Sequence, residues 1–181
     1  MSQSHFWFVR HGQTEYNRRG VRCGGDVDIP LTPRGEQQSE AVTGQLADIA
    51  LDLIVSSPLI RARQTAAIIG RNIGCPVQIH PLLLERLLGD WNGMPIAETE
   101  ALLRGGMPPP GGEPEVVFFE RIGTALEELA PLLRERRTLI VSSKGVARML
   151  DRLTHRTGTP ADNAVVREYV LPEHCYSASG V

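Results

Sequence analysis

The first apolar run of the chain, residues 6–9, ends in Arg10-His11-Gly12. Near neutral pH an imidazole serves as nucleophile or base. A guanidinium offers phosphate oxygens a planar fork, and a glycine lets the backbone approach an anion closely. The triplet alone is short, and histidine beside arginine at a strand end is read equally well as solvated surface.

Arg61 and Arg63 follow a second apolar run at residues 53–55. Two positions apart on a helix, they point to different faces, so one pocket takes only one of them. Arg61 is nearer the helix start, where free backbone amides favour an anion. Arg63 reads as exposed helix charge. Glu85 stands in LLLERLLGDWNG among apolar residues, where a carboxyl can hold its proton and act as a general acid. Pairing with a nearby arginine is the competing reading. Asp90 and Glu98 have no comparable apolar flank. Lys144, the only lysine of the chain, lies in VSSKG at residues 141–145.

These residues need elements to position them. Runs of β-favouring apolar residues at 6–9, 53–55, 77–79, 139–141 and 165–170 read as strands. Helical periodicity runs over 34–48, with Thr32 as cap, Pro33 at the first turn, and Ala41, Leu46 and Ile49 as the apolar face. Further helices are expected at 59–73, closed by Gly74, at 116–136 with a kink or break at Pro131, and at 145–154. Alternation of this kind specifies an α/β domain, with a mostly parallel central sheet and helices on both faces. Ligands of such sheets bind outside the carboxyl ends of the strands. That rule brings together residues 10–17, 56–63 and 142–145. Residues 105–114, GGMPPPGGEP, read as a surface loop, with a lid and a passive connector both open.

The length, 181 residues, fits one domain spanning 1–181, and the net charge of −2 argues against nucleic acid or an anionic membrane as partner. Cys23, Cys75 and Cys175 are too scattered for a disulfide framework or a zinc cluster, and reduced thiols suit the cytoplasm. The amino-terminal residues lack a signal-peptide pattern, and no apolar run nears the ~20 residues that span a bilayer. Oligomeric state is not legible.

Beyond the triplet, RHGQTEYNRRG (10–20), DIPLTPRG (28–35), SSPLIRARQTA (56–66), LLERLLGDWNG (83–93), PGGE (110–113) and DNAVV (162–166) together resemble the histidine phosphatase, or phosphoglycerate mutase-like, superfamily, over nearly the whole chain and in the family's order. The resemblance implies two-step phosphoryl transfer without metal or cofactor on a small phosphorylated substrate. By that likeness His11 attacks phosphorus and becomes phosphohistidine, and Glu85 protonates the leaving alkoxide and then helps activate water. Arg10, Arg61 and Asn17 hold the phosphoryl oxygens. Phosphoryl transfer needs in-line positioning and fixed positive charge above all. Hydrolysis is expected rather than mutase transfer, because the family's glycolytic mutases carry longer insertions.

One run departs from the family. Where a second histidine is usual, in a sequence resembling VSHGG, residues 141–145 read VSSKG, with Ser143 at the histidine and Lys144 at a glycine. Loss of such a phosphoryl-holding donor costs on the order of a hundredfold in rate. In one reading Ser143 and Lys144 replace it as phosphate-binding groups. In another the chain is a phosphoester-binding protein with little turnover, and in a third Lys144 points to solvent.

Overall fold

A computed structural model describes residues 4–158 and 161–172. Five strands form one sheet in the order β3-β2-β4-β1-β5: β1 His5–Arg10, β2 Leu53–Ser56, β3 Val77–Ile79, β4 Thr138–Ser142 and β5 Val166–Val170. The first four pair in parallel, and β5 runs antiparallel along β1. The helices are α1 Glu15–Arg19, α2 Pro33–Gln45, α3 Ile60–Ile73, α4 Ile96–Arg104, α5 Glu115–Glu135 and α6 Lys144–Leu153, with short 3-10 turns at Pro81–Leu83 and Gly89–Trp91.

Alternation along the strands divides the core between two faces. Phe6, Phe8, Leu53, Val55 and Ile140 pack with the apolar stripes of α5 and α6. Val9, Ile54, Leu139 and Val141 pack with α2 and α3. Strands buried on both faces must be apolar throughout, which is why these runs stood out in the sequence.

The expected elements form with few changes. Thr32 caps α2 by accepting the Gly35 N–H, and Gly74 closes α3 in the left-handed conformation. The buried face of α2 carries Gly35, Ser39 and Val42; beyond its end Leu46 is buried and Ile49 packs on the same cluster as expected, whereas Ala41 is exposed. Pro131 lies within α5 and does not end it. Buried Leu126, Leu129, Ala130 and Leu133 hold the helix to the sheet on both sides of the proline, which offsets the lost backbone bond. Two helices are additional to the sequence reading. α1 is a single capped turn, and α4 buries only Thr99, too little apolar surface to give a periodic signal. Cys23 is half-buried and Cys75 buried, both as free thiols, while Cys175 lies outside the described residues.

Candidate active site

Parallel pairing of β1 with β4 sets Arg10 opposite Ser142, and β2 joins the other edge of β4. The chain leaves all three strands at one edge of the sheet. There the His11 N–H donates to the Ser142 carbonyl (2.9 Å) and the Ser57 N–H to the Val141 carbonyl (2.9 Å). A cavity of about 730 Å³ opens at this edge, lined by Arg10, His11, Asn17, Glu85 and Lys144 among others. Arg61 and Ser143 are buried at the same edge of the sheet.

His11 is almost fully buried. Its Nδ1 lies 2.8 Å from the Gly12 carbonyl, which can only accept, so Nδ1 carries the proton and Nε2 the lone pair. Burial, with the charges of Arg61 and Arg10, holds the imidazole well below its usual range and therefore neutral. The side chain of Asn163 donates to the His11 carbonyl (2.7 Å), fixing the backbone beneath the ring. Gly12 is required by packing, since a Cβ there would run into the backbone of Gly35.

The two arginines are held rigidly. Arg61 donates to the carbonyls of Val27 (2.8 Å) and Gly24 (3.1 Å), and Arg10 to that of Ala161 (3.2 Å). The Nε of each is buried and lacks a hydrogen-bond partner among the described residues. Unpaired guanidinium donors are costly in a protein interior, and an oxyanion would satisfy them. Arg63, by contrast, is exposed. Asn17 works twice. Its Oδ1 accepts from the Thr14 N–H (3.0 Å) and hydroxyl (3.1 Å), closing the capping box of α1, and this orientation leaves the NH₂ as the amide's free donor end.

Glu85 accepts the backbone N–H groups of Arg86 (2.7 Å) and Gly145 (3.0 Å), and no arginine pairs with it among the described residues. A Cβ at residue 145 would overlap its carboxylate, so glycine at the second position of α6 is a condition of this contact. Ser143 is the N-cap residue of α6, yet its side chain makes no capping hydrogen bond, and its buried Oγ has no partner among the described residues. Lys144 is exposed at the first position of that helix.

The 105–114 loop braces the segment that follows Glu85. The Asp90 N–H donates to the Pro110 carbonyl (3.0 Å) and the Glu113 N–H to the Leu87 carbonyl (2.9 Å). Arg86 donates to the Glu113 carbonyl (2.7 Å), and the buried Glu113 carboxylate pairs with Arg121 at 2.7 Å. Arg121 in turn holds the carbonyls of Leu82 and Leu84.

Sequence reasoning did not single out Asn163, Arg86, Arg121 or Arg148. Asn163 lies within the DNAVV motif and could have been found there. The arginines are scattered along the chain, and only packing joins them. Six cationic side chains and three carboxylates line the cavity, a positive excess in a chain of net charge −2.

Comparison with known proteins gives a consistent result. Residues 6–169 match the profile of the histidine phosphatase superfamily (branch 1). The chain is 40% identical over 130 residues to a glucosyl-3-phosphoglycerate phosphatase of Mycolicibacterium vanbaalenii; the match covers 67% of this chain and 57% of that protein, little more than half its length. It is 29% identical over 182 residues to the adenosylcobalamin/alpha-ribazole phosphatase of Escherichia coli K12, covering 95% and 87% of the two chains. The structure of a mycobacterial glucosyl-3-phosphoglycerate phosphatase in complex with VO3 superposes with a TM-score of 0.78 at 28% identity, covering 91% of this chain and 90% of that one. Among the described residues no helix is long and apolar enough to cross a membrane.

Proposed function

Because the chain belongs to the histidine phosphatase superfamily, we propose that it is a metal-independent phosphomonoester hydrolase working through phosphohistidine at His11. One observation carries this reading. A neutral imidazole with its proton committed at Nδ1 shares one sheet edge with the half-buried Arg10 and the buried Arg61, whose Nε atoms lack hydrogen-bond partners among the described residues. The names of its relatives support a small phosphorylated metabolite as substrate.

The Nε2 lone pair attacks phosphorus in line, the bond from phosphorus to the ester oxygen breaks, and the protonated Glu85 gives its proton to the departing oxygen. Glu85, now a carboxylate, takes a proton from water as that water's oxygen attacks phosphorus. The P–N bond breaks, phosphate leaves, and His11 and Glu85 return to their starting states. Arg10, Arg61 and the Asn17 NH₂ hold the equatorial oxygens. In this reading Ser143 takes the place of the second histidine that the family resemblance implies, and its hydroxyl, unpartnered among the described residues, together with Lys144 takes over the support of the phosphoryl group. Fixed donors of this kind supply most of the stabilisation in phosphoryl transfer. Residues 1–181 act in this reading as one domain, and the free thiols of Cys23 and Cys75 fit a cytoplasmic location.

The test is phosphate release from a phosphomonoester panel with chelator present. His11→Ala is expected to lower turnover on the order of a thousandfold or more. Lys144→Ala is expected to lower it about tenfold to a hundredfold. Turnover unchanged in His11→Ala overturns the nucleophile. Full activity in Lys144→Ala removes the compensating role. Thermal stabilisation by phosphate with no turnover on any ester favours a phosphoester-binding protein.

A further inference from the structure

The segment that delivers Glu85 to the cavity leaves regular structure before it arrives: the 3-10 turn ends at Leu83, and Leu84 is extended. Backbone carbonyls in such a segment need acceptor contacts from elsewhere in the fold. Side chains supply them for four residues in succession. The Leu83 carbonyl accepts the Ser142 hydroxyl (2.7 Å), and Arg121 of α5 serves the other three. Its Nη1 donates to the carbonyls of Leu82 (2.8 Å) and Leu84 (2.7 Å), and its Nη2 reaches that of Glu85 (3.4 Å). Its Nε and Nη2 also form a fork on the Glu113 carboxylate, at 3.0 and 2.7 Å. A guanidinium has five N–H groups, and here each finds an acceptor. The Phe118 ring lies against the guanidinium, with its centroid 5.0 Å from Cζ.

Arg121 therefore keeps no donor for a substrate, and it is not among the residues that line the cavity. The buried Glu113 carboxylate cancels its charge. An unpaired cation against this segment would favour an ionised Glu85, whereas the neutral pair holds the backbone without that bias. We propose that Arg121, oriented by Glu113, is a positioning residue for Glu85: it fixes the backbone from which the carboxyl reaches the leaving oxygen. The proposal rests on the hydrolase reading above, in which Glu85 is the general acid.

The test compares kcat/KM for butyl phosphate and p-nitrophenyl phosphate, with the full chain as wild type and variants. This ratio reports the steps up to cleavage of the ester bond, where only the butyl ester needs a proton on its leaving oxygen. Arg121→Lys keeps a cation for Glu113 but replaces the planar fork with one nitrogen, which cannot span the carboxylate and three carbonyls. It is expected to lower kcat/KM for butyl phosphate about thirtyfold to a hundredfold, and for p-nitrophenyl phosphate less than about threefold. The double variant Glu113→Gln with Arg121→Gln leaves no buried charge unpaired, so it keeps the test readable if the lysine variant folds poorly. The same ester-selective loss is expected of it. A lower melting temperature with equal losses on both esters overturns the positioning role, as does an unchanged ratio of the two esters in the double variant. Wild-type turnover accompanied by either result keeps the hydrolase and refutes the positioning role. A wild type that releases no phosphate from any ester refutes the hydrolase, and the positioning role falls with it.

Discussion

His11 is held neutral by burial and by two guanidinium groups, and that has a consequence for stability. Its ordinary pKa is 6.5, and the folded value lies well below. As pH falls through the ordinary value the unfolded chain takes up a proton that the folded chain refuses. The unfolded state then binds more protons and stability drops. This contribution is fully present above about pH 6.5 and is lost between there and the depressed folded value. His11→Gln removes the titrating group, so its melting temperature is expected to fall less than that of the wild type between pH 7.5 and 5.5. Identical losses in the two proteins would show that the imidazole is not the group that resists protonation.

At the scale of elements, the start of α6 positions the Glu85 carboxylate. The Gly145 N–H at the second position of that helix donates to Glu85, and the absence of a Cβ there makes room for the carboxylate. Gly145→Ala is expected to displace Glu85 while leaving His11 and its arginines in place. Removing a general acid costs about a hundredfold or more. The loss should be large for alkyl phosphates, whose alkoxide must be protonated, and small for p-nitrophenyl phosphate, whose leaving group departs unaided. Kinetics on the two ester types checks this, and equal losses on both would count against Glu85 as acid. The 105–114 loop belongs to the same assembly, because its bonds to residues 86–90 hold the segment next to Glu85 in place.

For the molecule as a whole, the sheet order decides what meets. β1 and β4 are far apart in sequence yet adjacent in the sheet, so the two segments that leave them share one edge. The layer of α5 and α6 behind that edge is held by a continuous apolar cluster, with Ile122 fully buried at its centre. Ile122→Ala is expected to cost about 2–5 kcal/mol of stability, the usual range for a buried aliphatic truncation. Urea unfolding should show a lower midpoint with an unchanged slope. The folded fraction of the variant should keep wild-type kinetics, since Ile122 does not line the cavity.

The sequence by itself determined the strands, because central strands buried on both faces leave unbroken apolar runs at residues 6–9, 53–55 and 139–141. It also determined the capped helices at Thr32 and Gly74, whose signals are local. Motif order and the strand-end rule singled out Arg10, His11, Arg61 and Glu85, and the folded chain brings Arg10, His11 and Glu85 to one cavity, with Arg61 buried at the same sheet edge. Only the tertiary structure decided that α5 runs on through Pro131, that α4 forms, and that the glycine- and proline-rich loop serves as a brace. It alone gave His11 its tautomer, through the Gly12 carbonyl, and brought Arg86 and Arg148 to one carboxylate, that of Glu115. The physical reason is the range of the contacts. Periodicity and caps are written within a few residues, whereas a cavity wall is assembled from side chains that no spacing along the chain connects.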